Sequence, residues 1–187
     1  MQVISTRLPD VRVLTPRRFG DARGFFCETW SRRRLEDAGI VHDFVQDNES
    51  LSRDSGTLRG LHYQAPPFAQ TKLVRVVAGA VLDVAVDVRR GSPDYGRWVS
   101  VELSAENGQQ LLIPRGFLHG FLTCAPNTHV IYKVDSYYNA ESDGGVLWND
   151  PDLGIDWGQP AGVLLSDKDR VAPRFADWRS PFRFGDE

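Results

Sequence analysis

His62, Lys72 and Tyr132 are polar side chains set among aliphatic neighbours at strand spacing. Alternate residues of a strand share a face. In "LRGLHYQ" (58–64) that alternation groups Leu58, Gly60, His62 and Gln64, and sends Arg59, Leu61 and Tyr63 to the other side. Gln70, Lys72, Val74 and Val76 share a face, as do Val81, Asp83, Ala85 and Asp87, and then Val130, Tyr132 and Val134. A histidine titrates near neutrality and can take or give a proton. A lysine offers a compact cation to a developing oxyanion, and a tyrosine hydroxyl can return a proton. Buried polar groups need partners, so spacing alone leaves two readings open. A His, a Lys, an Asp and a Tyr could each be satisfied in separate surroundings, or all could line one barrel interior.

Arg59 and His62 point apart on a flat strand. Gly60 is the natural place for a bulge or kink that would bring both to one pocket, and bulges gather at barrel rims and active sites. A second pattern lies in "IPRGFLHGF" (113–121), where Pro114 ends a strand, Gly116 turns the chain and His119 follows three residues later. This P-x-G-x-x-H spacing resembles the second motif of the cupin jelly rolls. Metal-binding cupins carry H-x-H and a glutamate in their first motif, whereas the corresponding strand here reads Leu61-His62-Tyr63. Two histidines on separate strands make a poor transition-metal site, so no metal is expected. His42 and His129 have no comparable context.

Short strands must position these groups. "VRVLTP" (11–16), "DFVQDNES" (43–50), "GRWVSVELS" (96–104), "GQQLLIP" (108–114), "GFLTCA" and "THVIYKVDSYY" read as strands bounded by Gly, Pro, Asn and Asp. "TKLVRVV" (71–77) and "AVLDVAVDVR" (80–89), separated by Ala78-Gly79, read as a hairpin. Ser31 can cap a short helix "RRRLEDA" ended by Gly39, and Ser166 can cap a turn of helix in "LSDKDRVAP". Together these predict a mainly β fold, an antiparallel jelly-roll barrel with a few short helices. Residues 1–187 read as a single domain, with 165–187 packed over the barrel.

The 187 residues carry a net charge of −3, which leaves no basic footprint for wholesale nucleic-acid binding. It leaves room for a local cationic pocket. The N-terminus has no signal-peptide pattern, and no apolar run reaches membrane-spanning length. Two cysteines, Cys27 and Cys124, fit a reducing compartment, and the expected location is the cytoplasm. Of 22 cationic residues, Lys72, Lys133 and Lys168 are the lysines. In so arginine-rich a chain, a lysine can mark a place where a compact or tunable charge matters; codon bias accounts for the scarcity equally well.

The motifs "DARGFF.E.W", "QDNES.S", "LRGLHYQAPP", "Q.KLVRV..G.V.DVAVD.R..SP.YG", "LS..N.QQL.IP.GF.HGF", "YK...YY", "WNDPDL.I.W" and "LS.KD...P" occur in this order between Pro16 and Pro173. Together they resemble the dTDP-4-dehydrorhamnose 3,5-epimerases. The resemblance implies a cupin-type jelly roll, a homodimer that shares strands, no cofactor or metal, and a dTDP-4-keto-6-deoxy sugar as substrate. It also implies roles. His62 resembles the family's general base, Asp169 the carboxylate that pairs with it, Lys72 the enolate-stabilising cation and Tyr132 the proton donor. Tyr138 resembles the residue that stacks on thymine. Arg23, Glu28, Asn48, Arg59, His119, Asp143 and Lys168 resemble substrate contacts. Ala22 stands where an acidic residue is frequent, and Asp143 where a glutamate is common.

The chemistry suits those types. Carbons C3 and C5 of a 4-keto sugar flank the carbonyl, so loss of either proton gives an enolate. Inversion needs a base on one side of the ring and an acid on the other. The same set would serve a C3- or C5-monoepimerase. A 3,4-ketoisomerase, a non-catalytic sugar-nucleotide binder and a metal-dependent cupin oxygenase fit the residues less well.

Overall fold

The computed structural model describes residues 1–158, 160 and 162–186. Two antiparallel sheets face each other. The six-stranded sheet runs β1 (Gln2–Ser5), β2 (Arg12–Thr15), β10 (Gln110–Ile113), β7 (Lys72–Ala78), β12 (Thr128–Val134), β5 (Gln46–Ser52). The five-stranded sheet runs β13 (Asp143–Gly145), β6 (Leu58–Gln64), β11 (Phe117–Thr123), β8 (Ala80–Asp87), β9 (Trp98–Ser104). A separate ribbon, β3 (Arg18–Asp21) with β4 (Gly24–Cys27), stands off both. This is the expected jelly roll of cupin type. Two short helices accompany it: α1 (Arg32–Glu36) after Ser31, and α2 (Asp167–Arg170) after Ser166.

Alternation in the strands produces three apolar layers. Between the sheets, Val74, Val76 and Val130 meet Val81, Ala85, Val99, Leu103, Phe117 and Phe121. Behind the six-stranded sheet, Leu14, Leu73 and Leu112 pack on Leu35 and Ile40, with Trp30 and Phe44 at the edge. Behind the five-stranded sheet, Leu58, Leu61, Val84, Val86, Leu118 and Leu122 are covered by Leu153, Trp157, Trp178 and Phe182 from the C-terminal quarter. Each such aliphatic side chain contributes about 2 kcal/mol when fully buried. Both sheets are therefore covered on both faces over much of their area, which fixes the slot between them.

One expectation from the sequence is overturned. Strands β7 and β8 do not form a hairpin. β7 pairs with β10 and β12, while β8 pairs with β11 and β9. Only Gly79 separates them, too little for the two-residue loop of a tight hairpin. Gly79 has φ +74°, and a Cβ there would lie 2.3 Å from Thr128 Oγ1. The chain turns a corner and passes from one sheet to the other. The face assignments survive, because a corner does not disturb alternation within each strand. The strand expected over 43–50 starts later, at Gln46.

Candidate active site

The slot between the sheets opens into a cavity of about 500 Å³. From the five-stranded sheet come Arg59 and His62 on β6, with His119 and Phe121 on β11. From the six-stranded sheet come Lys72 on β7, Tyr132 on β12 and Ser50 on β5. Ser166, Lys168 and Asp169 close one end from α2 and its cap.

Arg59 and His62 share this cavity because β6 is bulged. His62 pairs with His119 and Arg59 with Phe121, three steps along β6 against two along β11. One extra residue reverses the alternation. Leu58, Leu61 and Tyr63 then fall on the outer, apolar face, while Arg59 and His62 turn inward. Gly60 permits it. Its φ is +137°, and a Cβ would stand 2.5 Å from the Gly120 Cα. The Gly60–Leu61 peptide is cis.

His62 Nε2 lies 2.6 Å from Asp169 Oδ1. Asp169 is placed by α2, whose cap Ser166 accepts a hydrogen bond from the Asp169 N–H at 3.2 Å. Burial pushes the Asp169 carboxyl upward, but the His62 hydrogen bond and charge, Ser166 and the Gly60 backbone outweigh it and hold the carboxyl below its usual range. With Nε2 occupied, Nδ1 is the other ring nitrogen of His62. Burial lowers Lys72 to about 8, opposed by Asp83 and Asp143 and assisted by Lys168. Lys72 is still mostly an ammonium at neutral pH. Burial raises the Tyr132 phenol, with Arg59 opposing, so it is held in its protonated form. Burial lowers His119, with its partner Asp83 opposing.

Of the residues singled out in the sequence, the cavity lining unites His62, Lys72, Tyr132, Asp169, Arg59, His119 and Lys168. Asp143 adjoins them through an ion pair with Lys168. Four lie elsewhere in the chain. Arg23 sits on the projecting β3–β4 ribbon, paired with Asp21 at 2.6 Å and 89% exposed in its side chain. Glu28 pairs with Arg34 of α1. Asn48 accepts from Gln46 and lines a separate hollow beside Trp30. Tyr138 is exposed on the loop after β12. Alternation could not foresee this, because it orders residues along a strand and says nothing of where ribbons and loops go. Asp83 was visible only as one member of a strand face; the structure makes it the buried partner of His119, at 3.0 Å. Among the described residues, no three His, Cys, Asp or Glu side chains come together as a metal cage.

Fold and cavity together define a jelly-roll protein with a polar cavity between its sheets, lined by His62, Lys72, Tyr132 and Asp169. The chain belongs to the dTDP-4-dehydrorhamnose 3,5-epimerase family, a family of isomerases, whose model matches residues 5–177. It is 50% identical over 184 residues to a dTDP-4-dehydrorhamnose 3,5-epimerase of Sinorhizobium fredii, covering 96% of this chain and 92% of that one. The fold is similar to a dTDP-6-deoxy-D-glucose-3,5-epimerase of Legionella pneumophila in complex with dTDP-4-keto-L-rhamnose, with TM-score 0.93, 43% identity and 97% of each chain covered. It is also similar to a 3′-monoepimerase of Streptomyces bikiniensis in complex with dTDP-quinovose, with TM-score 0.86, 35% identity, and 92% and 87% of the two chains covered.

Proposed function

We propose that this chain epimerises a dTDP-linked 4-keto-6-deoxy-D-glucose at C3 and C5 without a cofactor, giving dTDP-4-keto-L-rhamnose. The observation that carries this reading is the placement of His62 and Tyr132 on opposite walls of one cavity, with Lys72 in the same lining. His62 Nδ1 takes the proton at C3 or C5. The C–H electron pair moves toward the carbonyl and places negative charge on its oxygen. Asp169 stabilises the imidazolium formed. The Lys72 ammonium meets the oxyanion, a contribution of about 3 kcal/mol by comparison with other oxyanion donors. Tyr132 returns a proton to the opposite side of the same carbon, and solvent restores both groups. Arg59 and Lys168 bring cationic charge to the diphosphate end, where arginine's planar fork suits phosphate oxygens. His119 and Asp143 support the sugar and the rim.

The working unit in this reading is a homodimer. The β3–β4 ribbon exposes Phe19 (50%), Phe25 (61%) and Phe26 (71%) around Arg23, an apolar arm that needs cover. It carries Arg23, with Glu28 just beyond it, to the cavity of a second copy, where Asn48 and Tyr138 complete the nucleotide pocket. Residues 1–187 serve as one domain, in which the segment from 165 onward supplies Lys168 and Asp169. The cytoplasm, which keeps Cys27 and Cys124 reduced, is its place of work.

Incubation with dTDP-4-keto-6-deoxyglucose in deuterated water tests the reading. Solvent deuterium at both C3 and C5 is expected. Label at one carbon only would assign the chain to the monoepimerases, the reading favoured by the Streptomyces bikiniensis neighbour, and label at neither carbon would rule out both.

A further inference from the structure

Asp83 is a charged side chain with no solvent exposure, on the inward face of β8 and behind the cavity rather than in its lining. Its neighbours across the sheet are Phe121 on β11 and Val101 on β9. Oδ1 pairs with His119 Nε2 at 3.0 Å, while Oδ2 has no hydrogen-bond partner among the described residues. A buried carboxylate oxygen left without a partner is rare and asks for a reason.

Lys72 supplies one. It lies on the facing sheet and makes no ion pair among the described residues, yet of the two carboxylates that offset the burial of its charge Asp83 is the stronger. The other charged and titratable groups facing this space are committed or of the wrong sign. Asp143 pairs with Lys168 at the rim, and Asp169 pairs with His62. Arg59 and Lys168 are cations, His62 becomes one on taking a proton, burial favours the neutral ring of His119, and Tyr132 is a phenol held protonated. We propose that Asp83 is a positioning residue of the proton-transfer site: its carboxylate orients His119 through Oδ1 and keeps the Lys72 ammonium charged through the field of Oδ2. The unpartnered oxygen is then a fixed countercharge behind the wall, out of reach of the sugar. This inference rests on the reading of Lys72 as the cation that meets the enolate.

Three lysines in the whole chain make the test direct. In full-length protein labelled at lysine Cε, Lys72→Met assigns one NMR signal, and titration gives its midpoint. Asp83→Asn keeps the shape and an acceptor for His119 but removes the charge. The Lys72 midpoint is expected to fall by about one pH unit or more, the effect of losing one nearby charge, and the alkaline limb of kcat should move down with it while KM changes little. Asp83→Glu, which keeps the charge, should hold the limb where the native protein has it. A uniform loss of activity across pH with an unmoved Lys72 midpoint would overturn the proposal, since that is what a purely structural role gives. Should Asp83→Asn not fold, 13C NMR of the Asp83 carboxyl in the native protein still decides: a carboxylate at neutral pH is required, and a neutral acid there rejects the idea. Wild-type exchange in Lys72→Met would instead sink the enolate role of Lys72. The Lys72 midpoint is read without turnover, so the two failures are distinct.

Discussion

His62 and Tyr132 line one cavity from opposite sheets, His62 on β6 and Tyr132 on β12. On the proposed reading, a sugar ring held between them offers one face to each. Because both faces of each sheet are packed, the separation is set by the fold rather than by loops.

Removing the base should stop proton exchange and spare binding. His62→Ala is expected to lose at least about a hundredfold in deuterium incorporation at both carbons. Its affinity for dTDP, measured by calorimetry, should stay near that of the native protein. Native-like exchange would remove His62 from the base role.

Removing the acid should have a different signature. In Tyr132→Phe the proton can still leave to His62 and return from it. Exchange into solvent should therefore outlast product formation, while the KM for the keto sugar changes little. Equal loss of exchange and turnover would contradict the division of labour.

Lys72 gives the pH dependence its sign. Its folded-state value is depressed to about 8, so it is charged at neutral pH and loses its proton as pH rises through that point. Once the charge is lost, kcat/KM, which reports the free protein, should fall about tenfold per pH unit above that value. A profile flat well beyond the depressed value would show that the ammonium is not needed.

Mixing separates the two possible sources of Arg23. Neither Arg23→Ala nor His62→Ala should be active alone. If the ribbon reaches a second copy, a mixed dimer has one site with native His62 from one subunit and native Arg23 from the other. Activity should then reappear on mixing under conditions that exchange subunits. If Arg23 served its own subunit, mixing would recover nothing.

The bulge predicts a stability effect. Gly60→Ala must fit a Cβ within 2.5 Å of a backbone carbon at φ +137°. A loss of about 3 kcal/mol is expected from strain and overpacking, read by chemical denaturation. Lys168→Ala, which breaks a partly exposed ion pair, should cost less than about 1 kcal/mol of stability and appear mainly in KM.

Period-two alternation grouped Lys72, Asp83 and Tyr132 with their face-mates and left open whether those faces met; the structure keeps the groupings and turns all three inward. It placed Arg59 outward, because a bulge is invisible to a strict alternation; Gly60 was the one local sign of it. Pairing was the weaker part. β7 and β8 read as a hairpin on adjacency, but a single glycine turned the chain into the other sheet. Asp169 had no local signal at all, since its approach to His62 is made by a chain more than a hundred residues further on. Arg23, Glu28 and Tyr138 were legible only through family resemblance, because their surroundings within the chain are ribbon, helix edge and exposed loop.

The corner at Gly79 has one more consequence. Lys72 and Asp83 belong to a single short stretch of chain that crosses from sheet to sheet, so the charged wall of the slot is inherited as one piece. Arg23 and Glu28 lie on and just beyond the β3–β4 ribbon, and Tyr138 on the loop after β12. On the proposed reading, a descendant can alter that ribbon and loop, and with them its grip on the nucleotide, without touching the stretch that carries Lys72 and Asp83.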